Sequence, residues 1–494
     1  MRDELSSYYE DPEFKELLAQ YEGMAESHTP AYFDADDLVT IAEYYTSQER
    51  YKEADEAIDL ALRLHPDNTN ALIFRSHTLA MEGRLEEAKI VSDLITDTSS
   101  IEAKFLKASL LMEENRMEEV EEIYQQIAES EDNDLDTLLD IVLNYVEGGL
   151  EKYAEKWVNR IAEVYDWDML IKEDLQVMDT MANYYLTFYK PNMAYPILQA
   201  ILEKKPYSVF HWIQTGRCLL LLYKIAEAHE ALDFALAIDE NNEEAMILKA
   251  FAYKQGNNNE ETIALCQKIL EKGKVKKLQA CLMIVQVYLD MQEYQTCIDC
   301  ILKVLDETPN IDALTRNELY FRLALAYAGL GQKYEGIKYL AKIKASEEGD
   351  YIENLIRTGE FYLKCKEEAK AIEIFDLALE ETPEEERYYT LTDIATTCFD
   401  ARQFSISAQY YERINIDYPK QERANYVFLM YCYFYLVQQE PCLHYLAKIR
   451  RDMPETYAML GTTDGFIMDA KFQTFLYEMK HQIEIGNIDI DKYL

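Results

Sequence analysis

Cys297-Ile298-Asp299-Cys300 is a CxxC motif. A pair of thiols at this spacing does disulfide chemistry when the first sits at a helix N-terminus, where amide dipoles favour the thiolate. It holds zinc when two more ligands converge on it, and Cys266 and Cys281 are the candidates for that second pair. Against both readings, Cys297 falls where related segments of the chain carry Ala, and a thiol there serves as a compact apolar group. A P-loop, a GxGxxG following a strand, HExxH and GxSxG are absent, and the seven His lack metal-ligand spacing. Glu43 and Glu360 are carboxylates that can face a common groove. Acid–base catalysis would need two such groups at a defined separation with a raised pKa. With 92 Asp and Glu in the chain, pairs arise by chance. The basic run KGKVKK, from Lys272 to Lys277, reads as a solvated turn or as a docking point for an acidic partner.

The elements that carry these residues are helical. Tyr351–Pro383 reads as two amphipathic helices joined by a short turn. Gly359 and Ala371 are small enough for two helix backbones to cross closely, and Tyr362 and Phe375 fill the space around the crossing. Ala378 lies three residues from Phe375 on one face. Pro383 ends the second helix, having no amide hydrogen to continue it. One hairpin cannot bury its own apolar face, so it needs neighbours. They are present: the same grammar recurs about every 34 residues, as Ala42, Tyr45, Ala54, Ile58, Ala61 and Pro66 at one end and Met430, Tyr433, Cys442, Leu446, Ile449 and Pro454 at the other. Pro309 closes the eighth unit. A fourth unit, with Tyr145, Ala154, Val158 and Ile161, is weaker, and an irregular joint is expected near residues 165–175.

The spacing W-x2-L-G-x2-Y, A-x3-F and a terminal Pro resembles the tetratricopeptide repeat. The likeness covers residues 35–456 in about twelve units, although Trp212 alone fills the family's tryptophan position. It implies an all-α, right-handed superhelical α-solenoid whose first helices line a concave groove that holds peptides or protein partners. Residues 1–34 are expected to contribute an N-terminal capping helix, and 457–494 a C-terminal one over about Asp464–Ile483 that includes Phe466.

Composition narrows the function. A formal net charge of −43 repels phosphate backbones and anionic lipid, which argues against nucleic-acid binding. The longest uncharged run, Ala424–Gln439, is shorter than the ~20 apolar residues that span a bilayer. The N-terminus lacks the apolar core of a secretory signal, and nine scattered Cys suit a reducing compartment. The expectation is a cytoplasmic protein without membrane insertion.

Offsets of −3, +1 and +4 from the small crossing residue mark the inner face of each first helix. On that basis the candidate partner-binding residues are Ile213, Arg217, Phe251, Lys254, Phe321, Leu325, Glu360, Phe399, Tyr431 and Phe434. Some proteins of the resembled family grip a C-terminal carboxylate with Lys and Asn. Of the matching positions here, Val39 and Glu43 or Asp179 and Asn183, only Asn183 fits, which disfavours such a clamp. The sequence therefore points to a non-enzymatic scaffold or adaptor that binds a peptide or protein in the groove, with no cofactor, metal or catalytic residue. The alternative is a peptide-sensing regulator whose superhelix changes on binding; an α-helical hydrolase comes last.

Overall fold

The computed structural model describes residues 9, 11–27, 33–48, 50–273, 275–308, 311–344, 351–461 and 470–494. Lys274, Pro309 and Phe466, named above, lie outside the described residues, as does the stretch 462–469 that would open the final helix. The chain divides into two compact units, residues 1–280 and 281–494.

The first unit opens with α1 (Pro12–Ser27) and continues as helix pairs. They are α2 (Ala35–Ser47) with α3 (Tyr51–Leu64), α4 (Thr69–Met81) with α5 (Leu85–Ser92), α6 (Ile101–Glu113) with α7 (Met117–Ser130), and α8 (Leu135–Glu147) with α9 (Glu151–Val164). After a single short helix, α10 (Trp167–Glu173), come α11 (Leu175–Thr187) with α12 (Pro191–Lys204), α13 (Val209–Leu221) with α14 (Ile225–Ile238), and α15 (Glu243–Gln255) with α16 (Asn259–Lys272). The division between units falls inside α17 (Lys277–Asp290), which is followed by α18 (Tyr294–Glu307). The second unit continues as α19 (Ala313–Gly329) with α20 (Lys333–Lys344), α21 (Tyr351–Lys364) with α22 (Glu368–Glu381), α23 (Arg387–Asp400) with α24 (Phe404–Asp417), and α25 (Glu422–Tyr435) with α26 (Gln439–Asp452). The short α27 (Pro454–Met459) and α28 (Ala470–Glu484) complete it, and a 3-10 turn over Ile490–Tyr493 packs on α26. No β-strand occurs among the described residues.

Each pair is held by the close crossing that the small residues anticipate. A Cβ placed on Gly359 would come within 2.2 Å of the Phe375 ring, and one on Gly216 within 2.7 Å of Leu232. Ala371 and Phe375 have no exposed surface. Where the small residue is a hydroxyl-bearing one, it bonds across the crossing: Ser76 Oγ donates to Ala88 O at 2.7 Å and Ser407 Oγ to Ala395 O at 2.9 Å. Each satisfies a buried polar group without widening the contact. In the weaker fourth unit Trp157, next to the Val158 expected to fill its crossing, is buried. Its indole Nε1 donates to Glu121 at 3.1 Å, and Tyr145 OH donates to the same carboxylate at 2.5 Å. Burial would raise the Glu121 pKa, but these bonds and Lys156 outweigh it and hold the carboxyl below its usual value.

Several first helices begin at side-chain caps, such as Asn68 Oδ1 accepting from Ala71 N at 2.9 Å and Asn242 Oδ1 from Ala245 N at 3.0 Å. From α4 onward, the turn between the two helices of a pair uses one left-handed residue. Gly83, Asn115 and Asn257 suit that role, yet Tyr189, Tyr223, Gln292, Lys366, Arg402 and Val437 also adopt it, at φ between 53° and 63°. The following amide closes the motif, as Gln438 N bonding Tyr433 O at 2.9 Å. Side chains other than Gly or Asn lose free energy there, and a β-branched one most of all.

The irregular stretch holds α10, whose first turn is capped by Asp166. Lys204 Nζ donates to the carbonyls of Lys172 and Glu173, at 2.7 and 3.0 Å, satisfying the end of that helix.

Two consequences are measurable. Gly359→Ala gains about 1 kcal/mol of helix propensity, but the new Cβ meets an immobile buried ring, which costs more; the net expectation is a loss of about 1–2 kcal/mol. It should appear as faster hydrogen exchange in α21 and α22 and a lower melting temperature. Val437→Asn removes a strained side chain that is 89% exposed and so gives up no burial. It should raise stability by about 0.5–1 kcal/mol in the same assays.

Candidate binding groove

Within each unit the neighbouring first helices pack on one another. In the first unit α2 lies on α4, α4 on α6, α8 on α11 and α13 on α15; in the second, α19 lies on α21 and α21 on α23. Successive second helices make no contact of that extent among the described residues, apart from the inserted α10 on α12. At these places the first helices share one side of the stack, along which contacts run from one repeat to the next.

On that side of the first unit a cavity of about 440 Å³ opens between α2, α4 and α6. Its rim carries Asp36, Glu43 and Glu102, with Thr40, Asn70 and His77, and its apolar lining is Val39, Ile73 and Phe74. Asp36 accepts from Asn70 Nδ2 at 3.0 Å. Burial raises the Glu43 pKa. Among the described residues none of the three carboxylates is ion-paired, and no Lys or Arg lines the cavity. Glu43 and Val39 follow from the offsets applied to the sequence. Ile73 and His77 obey the same offsets in the second repeat. Asp36, Thr40, Asn70, Phe74 and Glu102 stand at −6 and −2 from Ala42, Ser76 and Ala108, one helical turn further along the same face.

The residues nominated from sequence lie apart. Ile213 is buried against Ala235 and Ala245, and Arg217 is exposed and pairs with Glu244 at 2.8 Å. Phe251 is 40% exposed, and Lys254 is half-buried. Asp179 accepts from the ring of buried His211, whose other nitrogen meets Ser208 Oγ at 2.7 Å, so its carboxylate is engaged in packing. The basic run serves packing too. Glu243 accepts the Val275 and Lys276 amides, and Lys276 Nζ pairs with Glu244 at 3.1 Å.

In the second unit the inner face carries a ladder of paired charges. Arg322 pairs with Glu318 at 2.6 Å and also bonds Gln286; Arg357 bridges Glu318 at 3.0 Å and Glu353 at 2.7 Å. The Arg357 guanidinium lies over the Phe321 ring, 5.4 Å from its centroid, and Phe321 and Leu325 are buried beneath. Glu360 makes no hydrogen bond or ion pair to a described residue. Burial first, with Asp400 and Glu318 nearby, pushes its carboxyl up to about 7 against the opposing pull of Arg322 and Arg357.

Phe399, Tyr431 and Phe434 belong to one aromatic cluster. Phe399 meets Tyr431 at 5.1 Å, and the final helix α28 lays Phe472 on Tyr431 at 4.8 Å and Phe475 on Phe434 at 4.8 Å. Phe472 and Leu476 are fully buried. Lys480 Nζ from the same helix donates to the carbonyls of Tyr457, Ala458 and Leu460, at 2.8–3.1 Å. The chain itself therefore occupies the inner face at α25.

Among the described residues no group of three or more His, Cys, Asp or Glu side chains is arranged to hold a metal, and no helix is long and apolar enough to cross a membrane.

Paired antiparallel helices, small crossing residues and stacked first helices are the fold of a tetratricopeptide-repeat α-solenoid. No protein-family model matches the sequence, and no curated protein does. Solved structures similar in fold include a tetratricopeptide-repeat protein from Parabacteroides merdae, 16% identical over 51% of this chain and 98% of that one, with a TM-score of 0.34. The human IFIT1 dimer with m7Gppp-AAAA is 12% identical over 89% of this chain and 95% of that one, with a TM-score of 0.40. YrrB, described as a TPR protein with an unusual peptide-binding site, is 17% identical over 38% and 93%, with a TM-score of 0.29. At these scores the likenesses carry no weight for function, and the fold rests on the helix pairing itself.

Glu360 yields a pH test. Its folded pKa lies above the unfolded value, so its stability contribution is full below about pH 4.3 and is lost as pH rises through about 7. Glu360→Gln should therefore stabilise the protein by about 1–2 kcal/mol at pH 8, a discounted figure because the side chain keeps partial exposure, and by much less at pH 5. Urea unfolding at the two pH values, with hydrogen exchange in α21 as a local readout, checks it.

Proposed function

We propose that the protein is a non-catalytic interaction scaffold, and that the inner face of its first three repeats holds a short segment of a partner protein carrying Lys or Arg side chains beside an apolar one. The cavity between α2, α4 and α6 is the observation that supports this reading. Three carboxylates ring it without a counter-ion of their own, while Ile73 and Phe74 offer an apolar floor. A volume of about 440 Å³ suits one or two inserted side chains rather than a folded domain. In such a groove the apolar anchor supplies most of the affinity, and the charges set partner choice and association rate. The second unit's ladder contrasts with this, because Arg322 and Arg357 already neutralise Glu318 and Glu353.

A peptide array of random octamers tests the proposal. Bound peptides should be enriched in Lys or Arg next to Leu, Ile, Phe or Tyr, and their affinity should fall as salt is raised. Glu43→Lys combined with Glu102→Lys should weaken the selected peptides about tenfold or more, equivalent to ~1.4 kcal/mol. Enrichment of acidic peptides, or binding that ignores the double reversal, would overturn the assignment.

A further inference from the structure

The aromatic face of α25 is already occupied, and the way α28 occupies it resembles a bound ligand more than a repeat. Phe434 lies 5.1 Å from Phe472 and 4.8 Å from Phe475, and Tyr431 lies 4.8 Å from Phe472. Leu476 is fully buried beside them, whereas Tyr477, Glu478 and His481 on the same helix are exposed. Phe472, Phe475 and Leu476 stand at i, i+3 and i+4, the anchor spacing of an amphipathic helix lying in a groove. Lys480, four residues further on, adds a polar anchor. Its ammonium donates to the carbonyls of Tyr457, Ala458 and Leu460 at the end of α27, at 2.8–3.1 Å. Carbonyls at a helix end lack an intrahelical donor and accept from a cation instead. Gly461 leaves room for the α28 backbone beside Tyr477. Toward α25, however, the contacts are between long aromatic side chains, not the small-residue crossing that locks a repeat pair.

We propose that this face of α25 is a docking site for an amphipathic helix of a partner protein, and that α28 is an intramolecular copy of that helix which the partner displaces. The contacts of α28 define the partner: two aromatic residues three positions apart, an aliphatic one beside the second, and a Lys four further on. The charge of the chain favours a partner over the α28 of a second copy. At a net charge of −43 two copies repel one another, while a cationic helix is drawn in. Occupancy by α28 lowers the apparent affinity for the partner to the fraction of molecules whose face is open. The site lies in the second unit and does not depend on the acidic cavity of the first.

The probe is a fluorescent peptide of residues 470–486, added to the full chain and followed by anisotropy. In Phe472→Ser combined with Leu476→Ser, which unseats α28, the peptide should bind at least about tenfold more tightly than to the unaltered chain. Adding Phe434→Ala to that variant, or replacing both Phe of the peptide by Ala, should abolish binding. Hydrogen exchange on the unaltered chain gives a readout that needs no variant: α28 amides should exchange at least about tenfold faster than those of α26. Equal peptide affinity for both chains, binding that survives Phe434→Ala, or α28 amides as slow as those of α26 overturns the proposal. So does a dimer of the unaltered chain in sedimentation that Phe472→Ser dissociates, which would assign the face to a second copy.

Discussion

The close approach of two helices at one small residue is the contact on which everything else in this chain depends. At Gly359 the partner ring sits where a methyl group would stand. Because packing density in a protein interior leaves no slack, this single distance fixes the angle and depth at which the second helix lies. That helix then presents the surface on which the next first helix rests, as α22 does for α23. Stability in such an array is a sum of local terms and nearest-neighbour terms. The two sides of the stack differ in consequence: first helices touch their counterparts, and second helices do so far less among the described residues.

Electrostatics sets the regions of the inner face apart. An acidic protein has to accommodate repulsion somewhere, and in the second unit it does so with shared arginines. Arg357 bridges Glu318 and Glu353 and also rests on Phe321, so one cation serves two carboxylates and an aromatic ring. Around the cavity of the first unit no such cation is present among the described residues, and Asp36 accepts from the side-chain amides of Asn68 and Asn70. The final repeat is different again, an aromatic face covered by α28.

Much of the fold is legible in the sequence because the crossing demands small residues at fixed intervals, and a fixed interval survives the loss of any one consensus residue. Trp212 is the lone tryptophan at its position, and in the fourth unit Trp157 is buried one place away from the expected filler. The turns were not legible. Gly83 announces a left-handed residue, whereas Tyr223 and Val437 give no sign of it, because that conformation is imposed by the two helices on either side rather than chosen locally. The groove was legible only in part. Offsets of −3, +1 and +4 capture Val39 and Glu43 but stop one helical turn short of Asp36 and Glu102, and no pattern in the sequence distinguishes a carboxylate that has an arginine from one that has none.

The left-handed turns have a further meaning. Where they are not glycine these residues lie open to solvent, Tyr189 and Tyr223 at 81% and 67% exposure. These hairpins therefore display one exposed residue at the turn, in a left-handed backbone setting shared by Gly, Asn, Tyr, Gln, Lys, Arg and Val. Along a unit these residues form an evenly spaced row whose chemistry can change without disturbing the interior. The scaffold thus carries two independent alphabets, one written inside the curve and one along its edge, and a substitution in either leaves the other readable.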